Sequence, residues 1–136
     1  MSELVTADKW LYSVLNGDAA LKALTPKVYA LPAPQGAVLP YTAYNVLSAL
    51  DLQGMGARRV WVNALYVVRA IFESASWGGD LEVAADRIDT LLHAASGSAS
   101  GGMVWSCARQ EPFYMVDNSS GQQIRMLGGI YRIHVT

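Results

Sequence analysis

The chain opens on an apolar stripe of helical spacing. Leu4, Ala7, Leu11 and Val14 or Leu15 recur at intervals of three and four, which predicts a helix that stops at Asn16-Gly17. Asp18 has the short polar side chain that caps a second helix over residues 19–24, and Thr25-Pro26 ends it. The period then changes. Residues 27–31 are β-prone, Pro32 cannot donate to a ladder, and residues 32–36 form a turn-rich connector. Residues 41–47 predict a strand that is apolar on both sides, Tyr44 and Val46 on one and Tyr41, Ala43 and Leu47 on the other. Residues 51–57, with Gly54 and Gly56, predict a loop.

The clearest strand spans residues 60–72. Val60, Val62, Ala64, Tyr66, Val68, Ala70 and Phe72 alternate as a core face, while Trp61, Asn63, Leu65, Val67, Arg69 and Ile71 make a mixed one. Strands commonly hold about 5–6 residues, so this one is expected to project past the body of the fold or to bend. Farther on, Leu81, Ala85, Ile88, Leu92 and Ala95 keep a helical rhythm that Glu82, Asp86, Asp89 and His93 repeat one position later, an amphipathic helix with Asp80 as its expected N-cap. The small residues 96–102 predict a mobile loop that does not pack. Residues 103–109 and 113–116 read as strand pieces broken at Glu111-Pro112, and residues 117–121 as a hairpin turn. Residues 123–135 read as a last strand with a bulge or kink at Gly128-Gly129. The order predicts an α+β fold: a mainly antiparallel sheet packed against an amphipathic helix, with N-terminal helices, forming a single domain over residues 1–136.

Composition adds one fact to this picture. Charged residues make up 15% of the chain, against about 25% in an ordinary soluble domain, so part of the surface is expected to be covered by other protein. The net charge of −1, without a dense basic patch, argues against tight binding to nucleic acid or an anionic membrane. The uncharged run 28–50 contains Pro32, Pro34 and Pro40 and is not expected to span a membrane. Glu3 and Asp8 stand where a signal peptide would need a positive flank and an apolar run, and the single Cys107 suits a cytosolic compartment as a small buried hydrophobe.

No residue set points to catalysis. His93 and His134 have no metal-ligand spacing, and Asp86 and Asp89 read as the solvated side of the helix. Gly54-Met55-Gly56 fails as a dinucleotide fingerprint, because Arg59 holds the third glycine's place and a strand follows. Ala99 stands where a nucleophile elbow needs serine, and Asn118-Ser119-Ser120 reads as a turn. An enzyme, a cofactor site and a metal site are therefore not expected. Arg58 and Arg59 beside Trp61 are too few for nucleic acid and suit a loop or a subunit contact. With Asn63 on the mixed strand face and Trp77 in a loop, these five are the interface candidates.

The helical start, Val28-Tyr29 before a proline-rich turn, Leu39-Pro40-Tyr41-Thr42-Ala43-Tyr44, the long strand, the helix from Leu81 and the closing Gly129-Ile130-Tyr131-Arg132-Ile133-His134-Val135 together resemble the tail terminator (tail completion) proteins of long-tailed bacteriophages. The resemblance implies a structural virion protein of the tail neck, assembled in the host cytoplasm. It would form a hexameric ring of its own copies that caps the head-proximal end of the tail tube, ends tube polymerisation and provides the head-tail joining surface. The implied partners are other copies, the tail tube protein and a head-tail connector or stopper protein, with DNA passing through the channel without specific binding. Another neck component, a head completion or stopper protein, is the nearest alternative. A small ligand-binding α+β domain is a more distant one, and it would need polar residues converging in a pocket.

Overall fold

The sheet is organised around one central strand in which every even-numbered residue from Val62 to Ala70 is buried. In the computed structural model, which describes residues 3–54, 59–119 and 121–136, β3 (Arg59–Glu73) is flanked by β2 (Tyr41–Gln53) on one side and β6 (Ile124–Val135) on the other, both antiparallel. β5 (Gly102–Asp117) continues the sheet beyond β6, and β4 (Ala95–Ala99) beyond β5. On the far side, β1 (Val28–Ala30) joins β2 in the sheet's parallel pair, giving the order β1-β2-β3-β6-β5-β4. The helices are α1 (Glu3–Asn16), α2 (Ala19–Leu24) and α3 (Asp80–Leu92). The architecture is the α+β plan expected from the sequence, a mostly antiparallel sheet with helices on one face.

Period-two alternation decides which face the helices cover. Val62, Ala64, Tyr66, Val68 and Ala70 of β3 are buried with Tyr131, Ile133 and Val135 of β6, against Ala7, Trp10, Leu11 and Leu15 of α1 and Leu81, Ala84, Ile88 and Leu92 of α3. Large tyrosines can enter this core only where their hydroxyls find partners. Tyr66 Oη donates to Asp8 Oδ1 at 2.7 Å, Tyr44 Oη to the Asp8 carbonyl at 3.2 Å, and Tyr131 Oη to Asp89 Oδ1 at 3.0 Å. Thus Asp8 ties α1 to the sheet and Asp89 ties α3. Burial, reinforced by these carboxylates, raises the ionisation of Tyr66 and Tyr131 far above the ordinary phenol range, so both remain hydrogen-bond donors at any physiological pH.

α2 has six residues, too few to persist alone, and Asp18 holds it in place. Its carboxylate accepts from the Leu21 N–H at 2.9 Å and takes a two-pronged ion pair from Arg87 of α3, at 2.8 and 2.6 Å. The Arg87 hydrogen bond holds the Asp18 carboxyl below the usual carboxylate range. A group with a depressed folded-state pKa contributes stability above its unfolded pKa and loses it as pH falls through the folded value. Asp18→Ala is therefore expected to cost about 1 kcal/mol for the cap alone. In urea titrations, wild type and variant should differ at pH 7 and converge as pH falls below about 4, where the unfolded carboxylate titrates.

Six local expectations are corrected. β2 runs to Gln53 with an extra residue at Leu47, so residues 51–53 are strand rather than loop. The cross-strand partners Asn63, Val62 and Trp61 impose the pairing on Leu50, Asp51 and Leu52. α3 ends at Leu92, and its N-cap is Gly79, at φ 74, with Asp80 as the first helical residue. Residues 96–102 do pack: Ala95–Ala99 is β4, and a tight turn at Ser100-Gly101 leads into β5. The physical reason is close approach, since a Cβ on Gly97 would lie 2.6 Å from Trp10 Nε1 of α1. β5 is continuous through Pro112, because the extra residue at Gln110 re-phases the ladder just before it. β6 shows no register shift at Gly128-Gly129, and Gly128 instead lets the β3 backbone come close.

Candidate functional site

The described residues hold no group of three or more His, Cys, Asp or Glu side chains placed for a metal ion. Cys107 is fully buried, and burial, with Asp89 nearby, pushes its thiol up to about 12, so it is a packed hydrophobe and not a nucleophile. His93 Nδ1 accepts from the Arg109 backbone N–H at 3.0 Å, and His134 Nδ1 shares a hydrogen bond with Ser106 Oγ at 2.8 Å. Each histidine joins two elements. Asp89 departs from the solvated stripe expected for it, because it accepts from Tyr131. An open depression is lined by Glu73, Ser74, Ala75 and Gln123, and the Arg125 guanidinium donates to the Ser74 and Ala75 carbonyls, both at 3.2 Å. No described helix is long and apolar enough to cross a membrane.

Interaction surfaces are more informative. Of the five interface candidates, Arg58 lies outside the described residues, and Arg59 is placed only as the first residue of β3, opposite Gln53. Trp61 and Asn63 come together on the face without helices. Trp61 is 38% exposed, with Leu52 as its cross-strand partner and the His134 ring edge-on at 5.8 Å. Asn63 Oδ1 accepts from Arg132 at 2.7 Å, and Gln110 holds the same guanidinium at 2.9 Å. Trp77 is elsewhere: it packs against the helix-covered core, with the Arg125 guanidinium 4.8 Å over its ring and Tyr114 edge-on at 6.0 Å. Trp77 anchors the β3–α3 loop and is not continuous with Trp61.

On the same open face Arg69 donates to Asn45 Oδ1 at 2.9 Å and lies 5.2 Å from the Phe113 ring centroid. Burial lowers its pKa, while its Nε finds no partner among the described residues. Arg69 and Arg132 are thus held by neutral amides and an aromatic ring, which fix their positions without cancelling their charge.

The sheet's edges are covered unequally. Among the described residues, β1 pairs only with Thr42–Tyr44 of β2, and β4 only with the first part of β5, through Cys107. The second half of each long strand pairs with no further described strand on that side, and because β2 and β5 run in opposite directions these halves lie at diagonally opposite corners. Both corners are apolar. Val46, Leu47 and Leu50 are 42, 52 and 67% exposed on β2, and Tyr114, Met115 and Val116 are 69, 49 and 40% exposed on β5. Monomeric proteins usually blunt such edges with charge, proline or bulges; here the charges Asp51, Glu111 and Asp117 flank runs 46–50 and 113–116 that carry none.

Over its whole length, the chain is similar in fold to a chain of "Virion of native gene transfer agent (GTA) particle": TM-score 0.73 and 18% identity, covering 98% of this chain and 97% of the other. That likeness is one of fold. No family model matches the chain, and no curated protein does.

Residues 48–50 and 114–116 were not among the sequence-derived candidates. Their signal was present as apolar residues without charge, but alternation alone cannot tell a strand covered on both sides from a strand with an open edge.

Proposed function

We propose that the protein is a structural component of a phage-like virion. Within that class we assign it to the tail terminators, as a ring of identical copies, six by the resemblance, that caps the head-proximal end of the tail tube. The ring would end tube growth and present the surface to which a head-tail connector or stopper protein joins. The observation that carries this reading is the fold likeness, end to end on both chains, to a chain of a gene transfer agent virion. Two open, apolar sheet corners on one chain support it, because a ring needs two different patches that meet head to tail. So does the low charge content, which fits a chain whose surface is largely shared with neighbours. The role asks for interfaces and no reaction.

Particles that lack the protein are expected to carry tails of irregular length, or tails that fail to join heads, under negative-stain microscopy. Uniform, head-attached tails in the deletion would overturn the terminator role. Native mass spectrometry of the purified protein, alone and mixed with tail tubes, is expected to show a closed multiple of the chain mass in at least one condition. A strict monomer in both would exclude the ring.

A further inference from the structure

The two open edges can be read residue by residue, because the hydrogen bonds that precede each one fix its phase. On β2 the Thr42 N–H donates to the Lys27 carbonyl and the Tyr44 carbonyl accepts from the Leu31 N–H, both at 3.0 Å, so even-numbered residues turn their backbone outward there. The extra residue at Leu47 shifts that phase by one, so that beyond it Ala49 faces out. On β5 the Cys107 carbonyl accepts from the Ala94 N–H at 2.7 Å, and the Arg109 N–H donates to His93 at 3.0 Å, so odd-numbered residues face out. The extra residue at Gln110 again shifts the phase, leaving Pro112, Tyr114 and Val116 outward. Pro112 has no N–H to offer.

We propose that the open half of β2 in one copy pairs antiparallel with the open half of β5 in the next, with Ala49 opposite Val116. The two sheets thereby become one across the subunit boundary. This deepens the ring reading above and rests on it, by naming the two patches that meet. Antiparallel pairing follows from direction. β2 and β5 run in opposite senses at opposite edges, so a neighbour that keeps its open face on the same side brings them together antiparallel.

The register follows from the outward phase. Sliding two residues one way sets Leu52 against Glu111, and sliding two the other way sets Leu50 against Asp117, so either shift faces an apolar side chain with a charge. In the remaining register Leu50 lies opposite Met115 and Leu52 opposite Phe113, so the most exposed leucine of one edge covers an exposed methionine of the other. Each copy has one edge of each kind, so the contact is head to tail and can close into a ring.

Leu50 and Met115 would form a non-hydrogen-bonded pair, with Cα atoms about 4.5 Å apart, which is within reach of a disulfide. The test is to purify L50C and M115C separately, and to oxidise each alone and the two mixed, both free and on tail tubes. The buried Cys107 should not compete. On non-reducing gels the mixture is expected to give at least tenfold more covalent dimer than either variant alone, and the L50C/M115C double variant a ladder of higher multimers. If an oligomer is present by light scattering yet the mixture crosslinks no better than the single variants, this pairing is wrong and the ring reading stands. If L50C crosslinks to itself as readily, the contact is two-fold and the head-to-tail edge is excluded. If neither condition yields an oligomer, the ring reading fails, and the pairing fails with it.

Discussion

Gly128→Ala is expected to destabilise the protein by about 3 kcal/mol or more, a drop of about 10 °C in melting temperature for a chain of this size. A Cβ at this position would lie 2.0 Å from the Val68 carbonyl oxygen and 2.6 Å from Arg69 Cα. Both are backbone atoms of the central strand, so no side-chain rotation relieves the clash. β3 and β6 would have to separate at Arg69 opposite Gly128, in the middle of a ladder that runs from Val62 to Glu73. Gly129→Ala is the informative neighbour. Its Cβ would meet Arg109 Cδ and Tyr131 Cε1, each at 3.0 Å, and these are side-chain atoms that can shift. Its cost should be well below that of Gly128→Ala. Gly78→Ala, whose nearest foreign atom is 3.9 Å away at the tip of Glu82, should be almost silent. Thermal melts followed by circular dichroism would order the three. Equal shifts for Gly128→Ala and Gly78→Ala would contradict the close approach.

That contrast shows what periodicity can and cannot reveal. The alternation of the long strand was legible because the burial of Val62, Ala64, Tyr66, Val68 and Ala70 on one face writes itself directly into the sequence at period two. The same holds for Ile88 and Leu92 on α3 and for Trp10 and Leu11 on α1, where one stripe faces one sheet. Gly128-Gly129 drew attention too, but composition could not distinguish a bulge from a close approach, since both call for the missing Cβ. Residues 51–53 read as a loop because Gly54 and Gly56 lie nearby, and only the pairing with Trp61, Asn63 and their neighbours extends the strand through them.

The candidate surface was legible only in part. Trp61 and Asn63 were placed on the mixed face, and the structure puts them side by side in sequence register with Leu52 and Leu50. The edge residues themselves stayed hidden, because whether a strand's second half is paired depends on the length of its neighbour. β1 has three residues and β4 five, and nothing in β2 or β5 encodes that shortness. A strand's own pattern reports its faces, while its edges are set by another part of the chain.

The run 96–102 is the converse case: small residues that look like a flexible linker and are in fact one half of a fitted pair. Trp10 of α1 is 3% exposed, and its indole lies where the Gly97 side chain would be. Trp10→Ala is expected to cost about 3–5 kcal/mol, through lost apolar burial and the cavity left between α1 and β4. Gly97→Val, which forces a Cβ to within 2.6 Å of the indole Nε1, is expected to cost about 1–3 kcal/mol by overpacking. If the two positions fit against each other, the double variant must be non-additive. The valine occupies part of the space that the indole vacates, so W10A/G97V should be less destabilised than the sum of the single variants by about 1 kcal/mol or more. Urea unfolding of the four proteins, with similar m-values as the check on two-state behaviour, measures that coupling directly. Strict additivity would mean that the indole and Gly97 are not in contact, and that residues 96–102 are as free as their composition suggests.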